Sequence, residues 1–259
     1  MMLDWYTRYY QVVLDSRANA LYCERLAGRN LYQHDFTEMA DLDRLIEVTG
    51  MSEGQRVLDL GCGNGFITEY LSDQSGACCT GLDFIPEAIR QAEERTRAKR
   101  DRLRFQEGDM ARLDFPPASF DILIAVDTLY FTELIQTIGE MKRVLAPGGQ
   151  MALFYAHGWV PWESLDAFPR DSTLPDRTPL ALALQAHGLA YRTWDYTQAD
   201  YAHAQRKQRI AEDLRDAFEA EGNLFLYENH HGEAVGVQRA IEANAHTRYL
   251  YHVTTLSNS

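Results

Sequence analysis

One short segment limits the fold more than any other: an apolar strand that runs directly into a glycine turn. It reads VLDLGCGNG over residues 57–65, and a helical pattern follows over residues 66–72. Glycines let the backbone pass close to a ligand, and the free N–H groups at the start of the next helix point towards that ligand. The sequence therefore predicts a ligand-binding strand–turn–helix unit.

The spacing of these glycines argues against a dinucleotide site. A dinucleotide fingerprint needs glycines at its first, third and sixth positions, whereas Phe66 fills the sixth position here and the third glycine, Gly65, comes one residue early. Asp59 also places a carboxylate beside the turn, where a diphosphate would be repelled and an ammonium group favoured. An NAD-dependent oxidoreductase is disfavoured, and a cationic ligand is favoured.

The pattern around the turn alternates between strands and helices. Such alternation specifies a parallel sheet with right-handed crossovers, which makes the fold class α/β. Two helices and a loop over residues 28–36 are predicted before the turn. The predicted strands cover residues 57–60, 77–82, 103–106, 122–126, 151–155, 191–196 and 247–253. The predicted helices after the turn begin near residues 66, 86, 133, 180 and 210, and one more helix follows Gly222 and runs through Ala245.

Two further acids follow the predicted strands. Asp83 closes the second strand 18 residues beyond Gly65, where a carboxylate can accept hydrogen bonds from both hydroxyls of a ribose. Asp109 follows the third strand and could accept a hydrogen bond from an adenine amino group. Alternatively, Asp83 caps a helix and Asp109 is a turn residue. The acids favour a nucleoside whose ribose carries little or no phosphate.

Composition restricts the partners. The 259 residues carry a formal net charge of −13, which argues against nucleic acid because phosphate backbones are bound through clustered Lys and Arg. The densest basic stretch, residues 95–104, is interrupted by acids and is predicted to be a solvated helix face. No run of 18 apolar residues or signal-peptide pattern is present, so we expect no membrane partner. The four cysteines lack zinc-type spacing, which favours a reduced, cytoplasmic protein.

Five segments in this order resemble the class I S-adenosylmethionine (SAM)-dependent methyltransferases, in particular their ubiquinone/menaquinone-type and natural-product members. The resemblance covers residues 57–155, through VLDLGCGNG, GLD at 81–83, GDM at 108–110, LDFPPASFD at 113–121 and VLAPGGQMALFY at 144–155. It implies a Rossmann-like doubly wound, mostly parallel seven-stranded sheet with an antiparallel last strand. N-terminal helices and a helical lid insertion would complete the fold.

The resemblance also implies cofactor contacts for SAM and its product S-adenosylhomocysteine. Asp59 would bind the ammonium group, and Asp83 would bind the ribose. Cys62 would be a small apolar residue within the turn. The other implied contacts are Gly61 and Gly63 along the methionine moiety, Val126 beneath it, Phe84 packed on adenine, and Asp109 and Met110 at the adenine edge.

We expect one methyltransferase domain over residues 1–259. Within it, residues 1–50 would form an N-terminal helical lid and residues 51–156 the SAM-binding core. Residues 157–246 would form a substrate-side insertion with helices, and residues 247–259 the final strand and tail. The oligomeric state is not determined by these patterns.

The expected reaction is methyl transfer to a small molecule, with nitrogen, oxygen or carbon as the acceptor atom. A general base is needed only if the nucleophile arrives protonated, and the candidates are His157, Tyr130 and His34; for each histidine, the alternative is a surface or satisfied partly buried residue. His230 and His231 are adjacent, so they point in different directions, and no metal is expected. A SAM-binding protein without transfer activity is the alternative function.

Overall fold

Seven strands form one mixed sheet, in which the last strand is antiparallel. The predicted fold class is thus confirmed. The strands are β1 (Arg56–Leu60), β2 (Cys78–Asp83), β3 (Leu103–Glu107), β4 (Phe120–Val126), β5 (Leu145–Gly158), β6 (Tyr191–Asp195) and β7 (His246–Thr254), and their order across the sheet is β3-β2-β1-β4-β5-β7-β6. The computed structural model describes residues 2–255, so residues 256–259 of the predicted tail lie outside the described residues.

The strand order reverses at β1, which pairs in parallel with β2 on one side and with β4 on the other. Strands β2 and β3 lie on one side of β1, and β4 and β5 lie on the other. Successive strands are therefore added on opposite sides of β1 before and after this point. Ligands of open α/β sheets bind outside the carboxyl ends of the strands at such a switch point. The glycine turn that follows β1 is therefore placed where a ligand is expected.

The inner strands are apolar on both faces, as parallel strands covered by helices require. All but one residue of β4 are buried, and so are the last four residues of β1. The helices are α1 (Met2–Val12), α2 (Arg17–Ala27), α3 (Met39–Thr49), α4 (Phe66–Ser75), α5 (Pro86–Arg95), α6 (Leu134–Val144), α7 (Pro179–Ala186), α8 (Thr197–Ala220) and α9 (Leu224–Glu242). Among the described residues, no helix is both long and apolar enough to cross a membrane.

Several predicted boundaries differ from the structure. Three helices, not two, precede the glycine turn, since α2 was not predicted separately, and the helix expected to begin near residue 210 begins at Thr197. The helix expected to reach Lys99 ends at Arg95, and a separate 3-10 turn covers Arg97–Lys99. The fifth strand begins at Leu145, before the Pro-Gly-Gly segment, and runs on to Gly158. The Pro-Gly-Gly segment therefore lies within the strand and does not mark the end of the preceding helix.

The described chain divides into two compact units. The first, which we call the helical unit, consists of the residues up to Met39 together with Ala156–Leu174 and Asp195–Arg248; the second, the sheet unit, consists of Ala40–Tyr155, Pro175–Trp194 and the residues from Tyr249 onward. Helices α1, α2, α8 and α9 belong to the helical unit, whose core includes Tyr9, Tyr22 and Phe218. The prediction of one domain over the whole chain stays a prediction.

The basic stretch after α5 pairs with acids of α4. Lys99 Nζ lies 2.7 Å from both Glu69 Oε1 and Asp73 Oδ2, and Arg95 and Arg102 pair with the same two acids. These pairs are partly exposed, and exposed pairs contribute little to stability. Three of the six basic residues in this stretch are therefore paired within the sheet unit.

Candidate functional site

The glycine turn is fixed to the neighbouring strand through its backbone. Gly61 N and Cys62 N both donate to the carbonyl oxygen of Leu82, at 2.8 and 3.1 Å. Gly61 has a φ of +77°, and a Cβ at this position would lie 2.5 Å from Thr128 Cγ2. The turn therefore needs glycine here for two reasons: a left-handed backbone and close contact with the end of β4.

Asp83 joins the turn to the end of β2. Its Oδ2 accepts a hydrogen bond from Gly63 N at 2.8 Å, and its Oδ1 accepts one from Ile85 N at 2.9 Å. Burial raises the pKa of the carboxyl group, while the bonds from backbone N–H groups act in the opposite direction. A carboxylate has about four acceptor sites, so Asp83 can shape the turn, support the start of α5 and still accept hydrogen bonds from a ligand.

Asp59 is a second buried carboxylate at this end of the sheet. It is 2% exposed, and its Oδ2 accepts a hydrogen bond from the Thr68 hydroxyl at 2.6 Å. Thr68 lies in the first turn of α4, so the carboxylate is held near the start of that helix, where a negative charge is stabilised. Sequence reasoning did not identify Thr68, because a Thr nine residues after an Asp carries no recognisable pattern.

Cys62 is a packing residue within the turn. Its thiol is buried, and burial raises its pKa well above the ordinary value, as do the nearby Asp83 and Asp59. A Cβ on Gly81 would lie 2.7 Å from both Cys62 Sγ and Phe105 Cδ1. The neutral thiol therefore fills the space that Gly81 leaves, which fits the small apolar role expected for Cys62.

The residues expected at the adenine edge have different surroundings. Asp109 is exposed, and its Oδ1 accepts a hydrogen bond from Ala111 N at 2.8 Å. This bond corresponds to the turn role that the sequence offered as the alternative for Asp109. Met110 is buried in the core cluster. Phe84 is half-buried after β2, and Val126 is buried at the end of β4. Asp109 thus has an exposed carboxylate with acceptor capacity left for a ligand.

The end of β4 carries the next candidates. Thr128 Oγ1 donates to the carbonyl oxygen of Leu60 at 2.9 Å, which ties the end of β4 to the end of β1. Asp127 is buried with a φ of +50°, a backbone conformation that Asp adopts more readily than most residues. Tyr130 is 45% exposed and meets Phe131 edge-on, with ring centroids 4.4 Å apart. The hydroxyl-bearing Tyr130 therefore lies on an accessible part of the sheet unit.

His157 and His34 both belong to the helical unit and have different neighbours there. His157 Nε2 lies 2.9 Å from Ser172 Oγ, and its ring is 5.7 Å from that of Phe168. His34 has its ring 4.9 Å from Trp5 and 5.3 Å from Tyr9. Burial lowers the pKa of both imidazoles. Each imidazole is therefore neutral near pH 7, and His34 Nε2 accepts a hydrogen bond from Asn229 Nδ2 at 3.3 Å.

The adjacent histidines of α9 have separate partners. His230 is buried, with Nε2 2.9 Å from Asn19 Oδ1, whereas His231 Nε2 lies 3.2 Å from Glu212 Oε1 on the exposed side. The two imidazoles therefore do not converge on a common point.

The chemistry of the turn region fits a cationic nucleoside better than a phosphate. Two buried carboxylates, Asp59 and Asp83, flank the turn, and the Arg95 guanidinium that reaches it donates to Asn64 O at 2.9 Å and pairs with Glu69. A positive ligand group is stabilised by such acids, while a diphosphate would meet like charge. The residues present thus suit a ligand with ribose hydroxyls and a positive group.

Comparison with known proteins gives an independent view. Residues 57–149 match a family described as a methyltransferase domain. A demethylmenaquinone methyltransferase from Deinococcus radiodurans is 38% identical over 101 residues, which cover 38% of this chain and 42% of that protein. The 27-O-demethylrifamycin SV methyltransferase of Amycolatopsis mediterranei is 32% identical over 114 residues, which cover 43% of this chain and 42% of that protein. The matched stretches therefore span less than half of these relatives.

Solved structures show the same fold over most of the chain. The Haemonchus contortus phosphoethanolamine N-methyltransferase 2, in complex with phosphomonomethylethanolamine and S-adenosylhomocysteine, gives a TM-score of 0.75 at 18% identity and covers 97% of this chain and 60% of that one. The Mycobacterium tuberculosis cyclopropane synthase MmaA2 gives 0.70 at 14% identity and covers 94% and 98%. At these identities the likeness is one of fold.

Proposed function

We propose that this chain is a class I SAM-dependent methyltransferase and that it transfers a methyl group from SAM to a small-molecule acceptor. One observation carries the proposal: the Asp83 carboxylate is bonded to Gly63 N of the glycine turn and keeps acceptor sites for a ribose. The curated relatives are named for methylating a demethylmenaquinone and a rifamycin, which supports a small-molecule acceptor.

In the proposed complex, Asp83 binds the ribose hydroxyls and Asp59 binds the ammonium group. The remaining cofactor contacts follow the family pattern: Gly61 and Gly63 along the methionine moiety, Val126 beneath it, Phe84 on the adenine face, and Asp109 and Met110 at the adenine edge, with Cys62 as a small apolar residue within the turn. When bound, SAM supplies an activated methyl group on a sulfonium. The task left to the protein is to orient the acceptor and to exclude water.

His157, Tyr130 and His34 stay the proposed catalytic candidates. Burial keeps both imidazoles neutral near pH 7, and a general base must be neutral if it is to act on an acceptor that arrives protonated. We further propose that the protein is cytoplasmic and acts on a free small molecule, without nucleic acid or membrane as a partner.

Thermal unfolding with added ligands tests the cofactor. At a SAM concentration of about ten times Kd, the free energy of unfolding should rise by about 1.4 kcal/mol and Tm by about 3–5 °C, since only a ligand that prefers the native state stabilises it. NAD at the same concentration should leave Tm unchanged. A rise in Tm with NAD and none with SAM would contradict the proposal.

A second experiment separates transfer from binding alone. Incubation with methyl-labelled SAM and a panel of metabolites should give S-adenosylhomocysteine together with a labelled product. Binding of SAM without turnover across chemically diverse amines, hydroxyl compounds and carbon acids would favour a SAM-binding protein that transfers no methyl group.

A further inference from the structure

Arg95, the last residue of α5, contacts both the end of the glycine turn and the start of α4. Its Nη2 donates to Asn64 O at 2.9 Å, and its Nη1 pairs with Glu69. The guanidinium carbon also lies 3.6 Å from the ring centre of Phe66. These partners occupy the last part of the turn and the first turn of α4. One side chain therefore joins both segments to α5.

The glycine turn packs directly against α5 at this point. Gly65 has a φ of +75°, and a Cβ there would overlap the ring of Phe105 and lie 3.0 Å from Ala92 Cβ. Ala92 precedes Arg95 by three positions on α5, so both residues lie on the helix face that meets the turn. Gly65 is also the N-cap of α4 and has no side chain with which to cap that helix. Contacts from α5 therefore help to hold the junction between the turn and α4.

The Arg95 guanidinium has a restricted orientation. The side chain is only 23% exposed, and burial lowers its pKa to about 10, so the group is charged near pH 7. A planar guanidinium that stacks on a ring, donates to a carbonyl oxygen and pairs with a carboxylate is confined to one plane. Lys99 differs, because its Nζ pairs with Glu69 and Asp73 and, among the described residues, donates no hydrogen bond to the turn. The contact with the turn is thus particular to Arg95.

Thr68 connects this junction to a carboxylate of the proposed cofactor site. It lies between Phe66 and Glu69 in the first turn of α4, and its hydroxyl donates to Asp59 Oδ2 at 2.6 Å. Thr68 and Asp59 are both buried. The orientation of the Asp59 carboxylate therefore depends on where the first turn of α4 lies, and Arg95 contacts that turn on either side of Thr68.

Asp83 is held in a different way. It lies at the end of β2 and accepts hydrogen bonds from Gly63 N and from Ile85 N, the N-cap of α5. Neither bond involves Arg95 or α4. The two carboxylates of the turn region are thus supported by different elements, so a change at Arg95 should affect Asp59 more strongly than Asp83.

We propose that Arg95 is a positioning residue for the cofactor: it holds the junction of the glycine turn and α4, and through Thr68 it orients the Asp59 carboxylate. It does not contact the cofactor in this proposal. The inference rests on the proposed function, in which Asp59 binds the ammonium group of SAM and Asp83 its ribose. Loss of Arg95 should therefore weaken binding of the methionine end of SAM and leave binding of the nucleoside end unchanged.

Two ligands distinguish these ends. 5′-Methylthioadenosine has the adenine and ribose of SAM but lacks the ammonium and carboxylate groups. We expect calorimetry to show that Arg95→Met raises the Kd for SAM about tenfold, which is less than the loss of about 10²-fold that a 1 Å displacement can cause. The Kd for 5′-methylthioadenosine should be unchanged, whereas an arginine that only stabilised the fold would affect both ligands alike. Wild-type affinity for SAM in the folded variant, or an equal loss for both ligands, overturns the inference.

Lys99→Met is the matched control. It removes a cation that pairs with the same Glu69, with Nζ 2.7 Å from Oε1, but leaves the contacts with the turn, so both affinities should be unchanged. If Lys99→Met weakens SAM binding as much as Arg95→Met, the charge beside Glu69 explains the loss and the inference is overturned.

Folding of the Arg95→Met variant is protected, because Lys99 still neutralises Glu69. If the variant does not fold, Arg95→Lys replaces it. The new ammonium group can pair with Glu69 but has no planar face to stack on Phe66, so we expect a smaller loss of affinity that is again confined to SAM. The same two outcomes overturn the inference for this variant.

Thr68→Val tests the connection between Arg95 and Asp59. Valine has a similar shape but no hydroxyl, so this variant should also lose affinity for SAM alone. If Arg95 acts through Thr68, the double variant Arg95→Met/Thr68→Val should bind SAM about as weakly as the weaker single variant, because changes within one network are not additive. Losses that multiply would show that the two residues act independently and would refute the positioning role.

The result is separable from that for the proposed function. If the wild-type protein does not bind SAM, the proposed function is refuted and the role of Arg95 with it. If the wild type binds SAM and Arg95→Met changes neither affinity, or both equally, the role of Arg95 alone is refuted and the methyl-transfer proposal stands.

Discussion

Replacement of Asp83 by alanine is expected to raise the Kd for SAM by about 10²–10³-fold, which is about 3–4 kcal/mol. The carboxylate accepts hydrogen bonds from Gly63 N and Ile85 N, and in the proposed complex it also accepts them from the ribose. Each hydrogen bond to a charged group contributes about 1.5–3 kcal/mol. Isothermal titration calorimetry with SAM measures the loss.

Two companion variants show whether the effect is specific. Asp83→Asn keeps the size and one side-chain oxygen, so it should weaken binding about tenfold, by the loss of one charged hydrogen bond. Asp114→Ala removes an exposed acid outside the proposed contacts and should leave the affinity unchanged. A folded Asp83→Ala variant that binds SAM as tightly as wild type would remove Asp83 from the cofactor site.

Local sequence patterns were sufficient for the sheet and the turn. The strand–turn–helix of residues 57–72 and the acid that closes β2 are each defined by a few neighbouring residues, so spacing alone places them at one edge of a parallel sheet. Contacts between residues that are far apart in the sequence could not be predicted from local patterns. Thr128, which holds the carbonyl oxygen of Leu60, is separated from it by 68 positions, and only the strand register brings them together.

The helical unit shows a second reason for missed residues. Lysines in amphipathic helices are expected on the solvated face, and fully buried lysines are rare unless paired. Lys207 is buried because Glu233, 26 residues away on α9, and two backbone carbonyls from the loop before α3 meet it. No sequence pattern within α8 predicts those partners. The sequence therefore named His34 as a candidate but could not indicate the charges around it.

The steric need for glycine at position 61 leads to the last prediction. Gly61→Ala would place a Cβ 2.5 Å from Thr128 Cγ2, so the turn or the end of β4 must shift. A displacement of about 1 Å in a binding site can cost about 10²-fold, and we expect a loss of that size in SAM affinity, measured by calorimetry.

Gly54 provides the matched control for that variant. It lies in the same unit with a φ of +86°, but a Cβ there would meet no atom within 4 Å. Gly54→Ala should thus carry only the backbone strain, about 1–2 kcal/mol of stability, with unchanged SAM affinity. Thr128→Gly removes the three side-chain atoms that a Cβ at position 61 would meet, so adding it to Gly61→Ala should recover part of the affinity. If Gly54→Ala weakens SAM binding as much as Gly61→Ala, backbone strain explains the loss and the contact between the turn and β4 is not what shapes the site.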